Sequence, residues 1–143
     1  MLDLVNRFMR TVLPNDSATL CLLTLDPATG VIRLASAGHL PPLLRTDEAV
    51  QFIEAHGPLL GINAARPAEA ELMLPPGGTL VLYTDGLVER RDADIDVGLG
   101  LLAKAAADVD PDLDAFTRRL VRLLPGPGQQ ADDIAVVALR RDL

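Results

Sequence analysis

The chain has 143 residues, 49% of them apolar but only 3% aromatic, so a domain of ordinary size must build its core from Leu, Val, Ile and Ala. A net charge of −7 argues against a nucleic-acid binder, which needs a basic face to meet phosphates. The longest apolar runs are strand-sized and broken by charge or Pro, so none could span a bilayer.

Leu2, Val5, Phe8, Met9, Val12 and Leu13 recur at helical spacing and predict an opening helix over 2–13, stopped by Pro14-Asn15-Asp16. With Met at position 1 no capping residue precedes it, and the helix is expected to be the remnant of something longer. Asp3, Arg7 and Arg10 break it up too much for a secretory signal. Residues 18–25 are apolar on both faces, which predicts a doubly buried strand. Its Cys21, the single cysteine, reads as a small buried hydrophobe and suits a reducing cytoplasm. Asp26-Pro27-Ala28-Thr29-Gly30 is a tight reversal into a second strand, 31–37. Short strands follow at 43–45 and 50–53, then 69–74, and after Pro75-Pro76-Gly77-Gly78 a strand over 79–84.

Beyond residue 96 the period changes. Residues 97–109 predict a helix with Leu99, Leu102, Ala103 and Ala106 inward. Asp110 is the expected N-cap of the next helix, with Pro111 at its first position and Asp112 and Asp114 in the positive first turn. Leu113, Phe116, Leu120, Leu123 and Leu124 form its apolar face, with Arg118, Arg119 and Arg122 outside. A last strand spans 134–139. Strands and helices come in blocks joined by hairpins, which favours an α+β fold with mostly antiparallel sheets, one domain over 1–143.

Two acidic sites stand at strand ends: Asp85 after one strand, Asp132-Asp133 before another. If those strands pair antiparallel, the acids meet at one sheet edge, where Mg²⁺ or Mn²⁺ needs only a few carboxylates and keeps its own waters. The bland reading stands beside it, because Asp-Gly is a common turn pair and Asp132-Asp133 could be a solvated loop end. His39 and His56 are the only histidines and have no zinc-ligand spacing. Ser17 and Ser36 lack a nucleophile-elbow context, and no P-loop is present.

Four segments carry a resemblance when taken together: Ser36-Ala37-Gly38-His39-Leu40-Pro41-Pro42-Leu43-Leu44, Gly57-Pro58-Leu59-Leu60-Gly61-Ile62, Leu82-Tyr83-Thr84-Asp85-Gly86-Leu87-Val88-Glu89 and Asp132-Asp133-Ile134-Ala135-Val136-Val137. In this order, over nearly the whole chain, they resemble metal-dependent protein phosphatases of the bacterial sporulation-E and stress-regulator type, a branch of the protein phosphatase 2C superfamily. The resemblance implies antiparallel sheets packed as a sandwich with flanking helices, and two Mn²⁺ or Mg²⁺ ions sharing a water. It implies that Asp85 and Asp132 ligate metal and serve catalysis, with Asp133, Gly86 and His39 around them without ligating. The implied substrate is phosphoserine or phosphothreonine on a small regulatory protein, such as an anti-sigma-factor antagonist.

The family's earlier Asp-x-x-Gly-His-Gly motif, whose aspartate bridges both metals, does not occur among these residues. The chain is therefore expected to be the C-terminal part of a phosphatase domain, incomplete at its N-terminus and weak or inactive by itself. Sheet surface left uncovered is expected to be met by self-association or by an upstream domain. The competing expectation is a non-catalytic binding or regulatory module on the same scaffold.

Overall fold

A computed structural model of the protein describes residues 1–62, 68–91, 93–108, 110–124 and 133–142. In chain order the elements are α1 (Leu2–Val12), β1 (Leu20–Leu25), β2 (Val31–Ala37), β3 (Leu43–Arg45), β4 (Val50–Phe52), β5 (Ala68–Met73), β6 (Thr79–Tyr83), a 3-10 turn (Asp85–Leu87), α2 (Ile95–Ala107), α3 (Leu113–Leu123) and β7 (Val136–Arg140). Helices and two wholly antiparallel sheets make this an α+β fold. The chain divides into two compact units, Met1–Pro41 with Ile53–Leu74 and Pro42–Phe52 with Pro75–Leu143.

The first unit holds α1 and the sheet β1-β2-β5. Its hairpin turn is fixed by the Asp26 carboxylate, which accepts from the Ala28 amide at 2.9 Å, an Asx turn inside the reversal expected over 26–30. In β2, Ile32, Leu34 and Ser36 point inward while Arg33 is exposed. The expected double burial of β1 is not found. β1 is an edge strand paired only with β2, so its residues, Cys21 included, stay half-buried, apart from Thr24, which is exposed. Partial burial still pushes the Cys21 thiol up, which keeps it protonated and unreactive at neutral pH.

The opening helix also differs from expectation. Its buried positions are Leu2 and Asn6, flanked by the half-buried Val5 and Met9. Leu4, Phe8 and Val12, a stripe at i, i+4, i+8, are 64%, 55% and 55% exposed, and Leu13 lies outside as well. Asn6 explains the tilt. Its side-chain oxygen accepts from the Gly61 amide at 2.8 Å, so this polar position must face inward and the apolar arc is rotated away. Gly61 has φ +87, and a side chain there would collide with the Asp16 carbonyl, so glycine is required where the helix meets this loop. Antiparallel bridging of Ala18 to Leu60 and the Gly38 amide donating to the Gly57 carbonyl at 2.8 Å bring residues 57–61 beside the start of β1 and the end of β2.

The second unit holds the sheet β4-β3-β6-β7 with α2 packed on β3 and β4, and α3 on β7 and α2. β6 is central, with Thr79, Leu80, Val81 and Tyr83 buried. α2 starts two residues earlier than expected because Asp94 is its N-cap, accepting from the Asp96 amide at 3.1 Å. Its buried line is Gly98, Leu102 and Ala106. α3 is capped by Asp112, not Asp110; the Asp112 carboxylate accepts from Asp114 N at 2.9 Å, while Asp110 supports the turn before it. Phe116, Leu120 and Leu124 are buried, whereas Leu123 is exposed, one position off the i, i+4, i+8 line. Arg119 is not on the outer side: it folds back to pair with Asp108 at 3.1 Å and lies over the Phe116 ring. Arg140 of β7 donates to Thr79 of β6 and to the Asp110 carbonyl, tying two strands to the approach of α3.

Gly98 is where α2 meets the segment that follows the 3-10 turn. A β-carbon there would strike the backbone carbonyl of Val88, so contact depends on the missing side chain. Because the obstacle is backbone, relief requires the helix or the turn to move. Gly98→Ala should therefore destabilise the fold by about 1–3 kcal/mol. Thermal or denaturant unfolding will read this as a lower midpoint, while Gly100→Ala, with open space around it, should not lower it.

Candidate metal centre

β6 runs antiparallel to β7, from Thr79↔Arg140 to Tyr83↔Val136. The C-terminal end of β6 therefore lies beside the N-terminal end of β7, and each end carries acid: Asp85 two residues after the ladder, Asp133 three before it. Asp133 and Asp85 are both exposed, while Gly86, Leu87 and Val88 beneath Asp85 are buried. A solvent-facing carboxylate is thus mounted on a buried turn, where the backbone has little freedom.

The turn itself is densely bonded. Val88 and Glu89 amides donate to the Asp85 carbonyl at 2.9 and 2.7 Å, and the Leu87 amide donates to the Thr84 carbonyl at 3.1 Å. Oδ1 of Asp85 accepts from the Gly86 amide at 2.9 Å, which orients the carboxyl group. Across the strands, the Thr84 amide donates to the Ala135 carbonyl at 3.0 Å. The Thr84 hydroxyl donates to the Asp133 carbonyl at 3.0 Å and accepts from the Ala135 amide at 2.9 Å. Thr84 is the added residue here, and its signal in the sequence is a hydroxyl at a strand end just before Asp-Gly, where side chains bond to backbone.

Of the sequence-predicted residues, Asp85, Gly86 and Asp133 come together in the second unit. Asp132 lies outside the described residues. His39 belongs to the first unit, half-buried, with Nδ1 donating to the Leu40 carbonyl at 2.8 Å. That bond leaves Nε2 as the nitrogen without the proton in the neutral ring. Among the described residues, no three His, Cys, Asp or Glu side chains gather into a cluster able to enclose a metal. The donors present are hard carboxylate oxygens, which suit Mg²⁺ or Mn²⁺ and not a soft-ligand metal. A groove of about 540 Å³ in the first unit, between the start of α1 and the β1-β2-β5 sheet, contains none of these acids, and its Arg33 is paired with Glu71 at 3.0 Å.

Comparison with known proteins gives the site its context. The family model for stage II sporulation protein E (SpoIIE) matches residues 1–142. The chain is 30% identical to the crystal structure of the RsbU and RsbW domains of Rv1364c from Mycobacterium tuberculosis, with a TM-score of 0.87 over 99% of this chain and 41% of that one. The SiaA-PP2C domain of Pseudomonas aeruginosa shares the fold at 24% identity and TM-score 0.80, covering 99% of this chain and 58% of that one. The phosphatase domain of SpoIIE from Bacillus subtilis does so at 21% identity and TM-score 0.68, covering 99% and 65%. The chain thus spans less than two thirds of each of these.

Tyr83, the last residue of β6, is the only tyrosine, and there is no tryptophan, so phenolate absorbance reports on this end of the strand alone. Burial pushes its phenol well above the usual range. In the unfolded chain it ionises near pH 10, while in the folded chain it stays protonated, so only the unfolded state gains from deprotonation. Stability is full below about pH 10 and declines above it. Alkaline titration should show phenolate appearing late in the folded chain and at the ordinary pH in denaturant.

Proposed function

Because the chain belongs to the SpoIIE family of PP2C-type metal-dependent phosphatases, we propose that it is the C-terminal part of one phosphatase domain that hydrolyses phosphoserine or phosphothreonine on a small regulatory protein. The supporting observation is the β6–β7 pairing, which brings Asp85, on its buried 3-10 turn, and the Asp133 segment to the same end of the sheet. In this reading Asp85 and Asp132 hold Mn²⁺ or Mg²⁺. Asp133 and Gly86 lie around them, Gly86 by aiming the Asp85 carboxyl through its amide.

When bound, the cations supply an acidified water and neutralise charge on the phosphoryl oxygens. The chain's part is to hold carboxylates at fixed positions, so that no reorganisation is needed as charge develops. Water oxygen bonds to phosphorus, the phosphorus–Oγ bond breaks, and the serine hydroxyl leaves carrying a proton. No side chain need become phosphorylated, in keeping with the lack of a nucleophile motif.

The substrate in this proposal is a phosphorylated regulator of the anti-sigma-factor-antagonist kind, met in the cytoplasm. The joint presence of RsbU and RsbW domains in the Mycobacterium tuberculosis protein supports a signalling role. No helix among the described residues is long and apolar enough to cross a membrane. The exposed Leu4, Phe8 and Val12 of α1 fit self-association or cover by an upstream domain.

The 143 residues contain only part of the family's carboxylate set, so the chain alone is proposed to bind Mn²⁺ weakly and to turn over slowly. An assay on a phosphoserine protein with Mn²⁺ should show low activity for this chain and higher activity when an upstream Asp-x-x-Gly-His-Gly segment is joined. Asp85→Asn in the extended protein should cost more than the roughly 10–100-fold typical of groups behind a ligand. An extended protein without activity would support the binding-module alternative, and an unchanged rate in Asp85→Asn would remove Asp85 from the site. Light scattering should show mass rising with concentration; a monomer throughout would exclude self-association.

A further inference from the structure

We propose that Thr84 is a positioning residue for the metal centre, its hydroxyl replacing its own carbonyl in the β6–β7 ladder and setting the spacing between Asp85 and the acidic strand entry. The inference rests on the reading of Asp85 as a metal ligand.

The geometry starts from the ladder. Beyond Tyr83↔Val136 the next antiparallel pair is Thr84 with Ala135, and in a hydrogen-bonded pair each residue both donates to and accepts from the other. One of the two bonds is present, from the Thr84 amide to the Ala135 carbonyl at 3.0 Å. The return bond cannot form in the usual way, because the chain turns into the 3-10 segment and the Thr84 carbonyl accepts from Leu87. The Ala135 amide would lose its partner. Oγ1 of Thr84 accepts from it instead at 2.9 Å, and the hydroxyl proton goes to the Asp133 carbonyl at 3.0 Å.

One side chain thus allows two incompatible things together. β6 can end abruptly, so that Asp85 stands on a 3-10 turn, and β7 can still be held in register up to Asp133. Three bonds converge on Thr84 from residues 133 and 135, and the next residue is Asp85. The β-branch limits χ1, so the hydroxyl is held with little rotational freedom. Without it, the entry to β7 would be tied to β6 at this point by a single backbone bond, and its distance from Asp85 would vary. A metal site needs ligands preset to within a fraction of an ångström.

Thr84→Val keeps the shape and removes both hydroxyl bonds; Thr84→Ser keeps the bonds. The test uses the 143-residue chain and two measurements. The first is hydrogen exchange at the Ala135 amide in metal-free protein. The second is paramagnetic broadening of amide signals by added Mn²⁺, which registers weak binding. In Thr84→Val, Ala135 should exchange faster and the Mn²⁺ midpoint should rise by about 10–100-fold, the usual effect of losing a group that orients a ligand. Thr84→Ser should restore both close to the parent values.

If Thr84→Val binds Mn²⁺ as the parent does while Asp85→Asn loses binding, the positioning role is wrong and the metal reading survives. If the parent shows no broadening around Asp85, or Asp85→Asn binds as the parent does, the metal reading fails and this inference goes with it. Unchanged exchange at Ala135 in Thr84→Val would overturn the inference independently of any metal.

Discussion

The antiparallel ladder between β6 and β7 is the constraint on which the candidate centre depends. β6 is paired with β7 over its whole length and with β3 over Thr79–Val81, and all of it but Leu82 is buried, so its direction and twist are set by its neighbours. Whatever follows its last residue is launched from a rigid base. β7, by contrast, is an edge strand, held by β6 on one side and by packing of α3. The acid on the rigid strand and the acid leading into the edge strand are matched only if the edge strand is held close to its first residues. The bonds around Thr84 do that at one end of the ladder, and Arg140, reaching Thr79 and the approach to α3, does it at the other.

Close backbone approaches play a comparable part. Gly98 lets α2 rest on the carbonyl of Val88, directly after the turn that carries Asp85. The turn is therefore supported by the helix below it as well as by its own hydrogen bonds. In the first unit Gly61 lets a loop pass against the Asp16 backbone while its amide is taken by Asn6. These contacts have the same logic: a polar or bare position tolerates proximity that a side chain would forbid, and the loop is fixed without a large apolar cluster.

Much of this organisation is legible in the chain. The strand expected over 31–37 and the tight reversal before it correspond to β2 and its hairpin turn. β3 likewise spans residues 43–45, as the sequence leads one to expect. In α3 the sequence offers Asp110 and Asp112 at successive even positions, and both carboxylates accept an amide two residues on. Local chemistry cannot rank two such caps; the winner depends on where Phe116 and Leu120 meet the sheet. In α1 the apolar arc covers nearly half the helix, and only the Asn6–Gly61 bond reveals which part turns inward. The half-burial of β1 is hidden from the sequence for a similar reason, since an apolar strand reads alike whether it is central or at an edge.

By itself the sequence determined the elements, the order of the four motifs, the α+β class and the two places where hard carboxylates stand at strand ends. Those features arise from interactions between residues a few positions apart, where side-chain period, turn chemistry and capping act directly. Only the tertiary structure decided that the strands bearing Asp85 and Asp133 are partners, and that the Thr84 hydroxyl completes their ladder. The two bonds made by that hydroxyl join residues 49 and 51 positions apart. Their partner groups are backbone amides and carbonyls, which every residue possesses, so nothing in the chain marks Asp133 and Ala135 as the ones Thr84 will find. The pairing follows from burial of the apolar face of the β4-β3-β6-β7 sheet against α2 and α3, a property of the whole unit and not of any segment in it.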